Sequence, residues 1–126
     1  MQLVLHVIVT SIEIQQQHRM ANKIAYTMKL KPGTADEYKR RHDEVWPEVL
    51  ELLRQHGFTD YSIFVDEESS TLFAVYKPSS LDTASNDAIS HSEIIQRWWA
   101  YMADIVEFKE DKTPATQALK MVFHMD

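Results

Sequence analysis

An α+β domain with the element order β-α-β-β-α-β is the fold class that this 126-residue chain predicts. Three observations lead to it. Residues 22–30 alternate apolar and polar side chains with a period of two, the mark of a half-buried strand. The stretches from Tyr38 to Leu53 and from Ile94 to Val106 instead repeat apolar positions at three and four, the mark of helices. Two β-rich runs separated by a short polar loop lie between the helices, and a last apolar run closes the chain. Strand, helix, hairpin, helix and strand in that order make the split βαβ, or ferredoxin-like, unit with a four-stranded antiparallel sheet.

In the first strand Ile24, Tyr26, Met28 and Leu30 alternate with Lys23, Ala25, Thr27 and Lys29. Lys31-Pro32-Gly33-Thr34 is turn chemistry, and Thr34 with Glu37 three residues on predicts a capping box. The long helical region then places Tyr38, His42 and Trp46 at i, i+4 and i+8, on one stripe. Pro47 lacks an amide hydrogen and clashes with the carbonyl four residues back, so the helix kinks or restarts there. It ends at His56-Gly57, where glycine supplies a left-handed cap. Tyr61 to Val65 and Thr71 to Lys77 read as an antiparallel hairpin around the polar loop 66–70. Residues 78–87 show little pattern; a second helix follows from Ile94, and Leu119 to Met125 is expected as the fourth strand. Two helices leave one face of such a sheet uncovered although apolar residues alternate along every strand. A homodimer packed sheet to sheet, a dimeric α+β barrel, is therefore expected.

Length and composition set the outer bounds. The chain is long enough for one domain with a core, and the sequence places that domain at residues 22–126 with residues 1–21 as an extension outside it. Met1 to Ile12 are mostly apolar, yet there is no basic leader, His6 interrupts the run, and it falls far short of the roughly 20 residues that span a bilayer. A net charge of -6 and the absence of a basic patch argue against nucleic acid as a partner, and no membrane partner is expected. With zero cysteines there are no disulfides or thiolate chemistry, which suits a cytoplasmic protein.

Groups able to carry chemistry are few. Two glycines in all leave no phosphate loop, and no pair of His residues has metal-ligand spacing. His91 and His124 are isolated in sequence and read as surface residues. His42 differs, because it shares its stripe with Tyr38 and Trp46. Adjacent helical residues point about 100° apart, so of Trp98 and Trp99 only one faces the core in the ordinary way. The other faces a cavity, a partner or solvent, where an indole suits the apolar C–H face of a sugar; packing of both in the core is the even alternative.

The run Glu37-Tyr38-Lys39-Arg40-Arg41-His42-Asp43-Glu44-Val45-Trp46-Pro47-Glu48, with His56-Gly57, Tyr61-Ser62-Ile63 and Gln96-Arg97-Trp98-Trp99-Ala100-Tyr101-Met102, resembles the L-rhamnose mutarotase family. The resemblance spans about Lys23 to Phe123 in three separated blocks. It implies a dimeric ferredoxin-like fold and interconversion of the α and β anomers of L-rhamnose, an isomerase reaction without cofactor or metal. His42 matches the family's proton donor, and Tyr38, Tyr61, Trp98 and Trp99 match its substrate-binding positions. The N-terminal extension and residues 78–92 depart from the pattern. Dimeric ferredoxin-like domains host many functions, so a small monooxygenase or haem-degrading enzyme and a non-catalytic sugar-binding module are the competing readings.

Overall fold

The computed structural model describes residues 23–79 and 85–126, so the predicted extension over residues 1–21 lies outside the described residues. Strand β1 covers Ile24–Lys29, β2 Phe58–Asp66, β3 Thr71–Pro78 and β4 Gln117–Leu119. They form one sheet in the order β2-β3-β1-β4 with every neighbouring pair antiparallel. Helices α1 (Ala35–Asp43) and α2 (Pro47–Gln55) lie between β1 and β2, and α3 (Asn86–Ile89) and α4 (Glu93–Met102) lie between β3 and β4.

The register shows how alternation builds two different surfaces. Ile24, Tyr26 and Met28 pair with Tyr76, Ala74 and Leu72, and five of these six side chains are buried, Ile24 partly. They join Val49 and Leu52 of α2 and Ile95, Trp98, Trp99 and Met102 of α4 in a single core cluster. The residues between them point the other way. On that opposite face Phe64 pairs with Phe73 and Leu119 with Ala25, leaving Phe64 63%, Phe73 41% and Leu119 44% exposed. The open apolar face expected from the strand pattern is thus present.

The helical region restarts as expected, but as two separate helices. Trp46 adopts φ -63° and ψ 132°, the extended conformation that a following proline enforces, and Pro47 opens α2 at a position whose N–H needs no partner. Trp46 is therefore not eight residues along one continuous helix from Tyr38, which corrects the stripe predicted through it. The predicted capping box is also absent. Thr34 sits at ψ 9° and its hydroxyl donates to the Lys31 carbonyl at 2.6 Å, while the Glu37 carboxylate accepts from Arg40 and Arg41. Two guanidinium partners offer that carboxylate stronger bonds than one backbone amide.

Both ends of the β region shift from the expected bounds. Strand β2 begins at Phe58 rather than Tyr61, because an irregularity between Thr59 and Ser62, with Asp60 at φ 48°, breaks the alternation that would reveal it. Strand β4 covers Gln117–Leu119 rather than Leu119 to Met125. Leu119 pairs with Ala25 and β1 starts at Ile24, so beyond Lys120 no described strand remains to pair with. Serines cap the two later helices: Ser85 accepts from the Ala88 amide at 3.0 Å and Ser92 from the Ile94 amide at 3.3 Å.

Gly57 turns the chain from α2 into β2 with φ 82°, and its carbonyl accepts from the Ser79 amide at 2.8 Å. A Cβ in this left-handed conformation costs about 1–2 kcal/mol. Gly57→Ala is therefore expected to lower the free energy of urea unfolding by about that amount, and an unchanged midpoint at unchanged m-value would refute the assignment of strain to this turn.

Candidate active site

Tyr38 and His42 leave α1 one turn apart and on the same side. Their rings stack with centroids 4.2 Å apart and planes 26° apart. The His42 Nδ1 lies 3.1 Å from the Tyr38 carbonyl oxygen. A carbonyl only accepts, so Nδ1 carries the hydrogen in the neutral ring and Nε2 holds the lone pair. Trp98 of α4 meets the imidazole edge-on at 5.4 Å, and behind it Trp46 packs on Trp98 at 5.1 Å and stacks on Tyr101 at 5.6 Å. Aromatic contacts of this kind contribute about 0.5–1.5 kcal/mol each beyond buried area, enough together to hold His42 in one orientation.

Tyr38, His42 and Trp98 border a cavity of about 520 Å³ between the helices and the sheet. That volume lies within the roughly 300–1,000 Å³ typical of small-molecule sites. Helix α1 contributes Tyr38 and His42, β1 contributes Tyr26 and Met28, β2 contributes Tyr61 and Ile63, α3 contributes Asn86 and Ile89, and α4 contributes Trp98 and Trp99. All five residues singled out in the sequence, His42, Tyr38, Tyr61, Trp98 and Trp99, therefore meet at one cavity. Both tryptophans are buried, one from each side of the α4 stripe, because the cavity and the core adjoin along that helix.

Burial sets the electrostatics. It lowers the His42 pKa below the usual imidazole value, against the opposing effects of the Tyr38 carbonyl and the Asp43 charge. Burial raises the phenols of Tyr26, Tyr38 and Tyr61, and Tyr76 is pushed up to about 12. At neutral pH the cavity thus holds neutral phenols that donate or accept hydrogen bonds and an imidazole mainly in its basic form. His42 is the only imidazole among the described residues that lines this cavity. His91 is exposed, and His124 pairs with Asp126 at 2.9 Å. Among the described residues no three His, Asp or Glu side chains gather as metal ligands, and no helix is long and apolar enough to cross a membrane.

Several residues around the site take roles that the sequence does not show. Trp46 lies outside the cavity wall and supports Trp98 from behind. Arg41 and Tyr101 also stand outside it: the guanidinium binds Asp104 at 2.7 and 3.0 Å, the Tyr101 carbonyl at 2.9 Å and Glu37 at 3.0 Å, and lies 4.7 Å from the Tyr101 ring centroid. Tyr26 and Asn86 are part of the wall, and sequence reasoning passes over both. For Tyr26 a signal existed, since a phenol on the buried face of a strand needs a partner for its hydroxyl. For Asn86, in a stretch without pattern, there was none.

A sequence model of the L-rhamnose mutarotase family matches residues 23–125 of this chain. The L-rhamnose mutarotase of Sinorhizobium fredii is 48% identical over 103 residues, which cover 82% of this chain and 97% of that protein. The L-rhamnose mutarotase of Listeria monocytogenes is 46% identical over 103 residues, with the same coverage of 82% and 97%. Among solved structures, the crystal structure of an L-rhamnose mutarotase from Formosa agariphila superposes with a TM-score of 0.75 at 41% identity, covering 82% of this chain and 98% of that one. A match over nearly the whole described domain, joined to the cavity that the same residues enclose, places this chain in the L-rhamnose mutarotase family.

Proposed function

We propose that this protein is an isomerase that interconverts the α and β anomers of L-rhamnose, with His42 as its acid-base group. The observation that carries this reading is an imidazole, the one that lines the cavity among the described residues, whose Nε2 meets no partner among them and which faces a cavity walled by two indoles and several phenols. Nε2 takes the proton of the anomeric hydroxyl as the C1–O5 bond breaks and its electron pair moves to O5. The same proton then passes from Nε2 to O5, leaving the open-chain aldehyde. Rotation about C1–C2 presents the other carbonyl face, and the reverse transfers close the ring on the second anomer. Nothing is consumed, which suits a site that uses only the chain's own side chains. A group that accepts and returns one proton contributes about 10²–10⁴-fold, sufficient for a reaction that already proceeds in water.

Tyr38 and Tyr61 bind sugar hydroxyls in this reading, and Trp98 and Trp99 form the apolar wall for the C–H face and the C6 methyl, which offers no hydrogen bond. The functional domain spans residues 22–126, consistent with the reach of the family match, and the extension stands outside it. The strand order and antiparallel pairing support the split βαβ assignment, and the exposed Phe64, Phe73 and Leu119 support sheet-to-sheet packing of two copies as a dimeric α+β barrel.

His42→Ala is expected to reduce catalysed anomer exchange of L-rhamnose by about 10²-fold or more, measured by saturation transfer between the anomeric protons. Wild-type rates in a folded variant would remove His42 from the mechanism. The pH profile gives an independent check. Burial favours neutral His42, so the active basic form persists below the ordinary imidazole pKa of about 6.5. The kcat/KM for exchange should hold its plateau through that pH and decline only in more acidic solution; a decline already complete above pH 6.5 would contradict a buried base. Light scattering at micromolar concentration should report a mass of two chains, and a monomer there would exclude the sheet-to-sheet dimer.

A further inference from the structure

The cavity wall contains a polar pair, Tyr26 and Tyr61, of which the proposed mechanism uses only Tyr61. The Tyr26 and Tyr61 hydroxyls hydrogen bond directly to each other, and Asn86 stands on the same wall. All three residues line the cavity, reaching it from β1, β2 and α3. Tyr26 is 8% exposed, so its hydroxyl has been taken out of bulk water. Packing alone at this position is met by phenylalanine, which fills the same space without a hydroxyl to desolvate. Two phenols joined by one bond have used one of their two hydrogens on each other. A second hydrogen and further lone pairs are left at the cavity surface, the complement of a group that both donates and accepts. A sugar hydroxyl is such a group; a C6 methyl is not.

We infer that Tyr26 and Asn86 are specificity-determining residues which, with Tyr61, read one particular hydroxyl of the sugar; this rests on the sugar-binding reading of the cavity. Sites built to hydrogen bond a hydroxyl discriminate against ligands that lack it, because the protein's polar groups are then left unpaired. The phenol pair would thus select among sugars by one hydroxyl position, a task separate from the proton exchange at His42. In this arrangement Tyr26 touches the substrate directly, and Asn86 offers an amide to the same hydroxyl from α3.

The test compares wild type, Tyr26→Phe and Asn86→Ala for binding of L-rhamnose and its 2-, 3- and 4-deoxy analogues, followed by tryptophan fluorescence, with anomer exchange measured in parallel. Loss of one hydrogen bond predicts that Tyr26→Phe weakens L-rhamnose binding roughly 3- to 10-fold, raises KM by the same factor and leaves kcat within about twofold. For one deoxy analogue, the one missing the hydroxyl that is read, the penalty should vanish, and Asn86→Ala should single out the same analogue. Equal weakening for all four sugars would mean that the substitution merely disturbs packing, and would overturn the inference, as would no weakening at all. Wild-type protein that binds L-rhamnose without exchanging its anomers would remove the isomerase reading while leaving the comparison of variants intact.

Discussion

The site depends on α1 lying against the end of α4 at one fixed angle, and Arg41 sets it. Its guanidinium takes both oxygens of Asp104, the Tyr101 carbonyl and Glu37 at once, and its side chain is only 10% exposed. A rigid planar fork that satisfies three partners tolerates little displacement, unlike a flexible ammonium. The partners answer in kind: Arg40 and Arg41 hold the Glu37 carboxyl down to about 2, and Arg41 holds Asp104 below the usual carboxylate range. Both carboxylates therefore stay charged into more acidic solution than unpaired ones would. His42 follows Arg41 directly in sequence, so fixing one residue against α4 aims the next at Trp98.

Pro47 supplies the complementary constraint. By ending α1 shortly after His42, it frees α2 to set its own direction and bury Val49 and Leu52 in the core. A continuous helix from Ala35 to Gln55 would have to serve both tasks with one straight face. The break also releases Trp46 from the helix surface, so that its ring reaches Trp98 and Tyr101.

Much of this was legible before any coordinates because the signals are local. Periodicity of two or three to four, the proline restart at Pro47 and the glycine at Gly57 each follow from backbone sterics within a few residues. His42, Tyr38, Tyr61, Trp98 and Trp99 stood out through a helical stripe, an adjacent pair of indoles and a family resemblance, and they converge on one cavity. What was not legible depends on competition or on distant partners. Thr34 and Glu37 have the spacing of a capping box, yet Glu37 serves Arg40 and Arg41 instead. The length of β4 is limited by where β1 begins, nearly a hundred residues earlier in the chain. Asn86 joins the cavity wall only because α3 brings it there, and no spacing in the sequence announces that placement.

The sheet itself ties the cavity to the open apolar face. In β1 and β3 the even-numbered residues Tyr26, Met28, Leu72, Ala74 and Tyr76 face the cavity and core, and the odd-numbered Phe73 and Val75 face the open side. A strand's side chains alternate without exception along a regular pleat, so a slip of one residue would carry phenols out to the open face and Phe73 into the site. Correct register is consequently needed by both surfaces at once. The tyrosines bring hydroxyls into the interior, so the helical side of the sheet is partly polar. The apolar area left on the other side is then the natural compensation, and covering it with a second copy would brace the same strands that hold Tyr26 and Tyr61 in place.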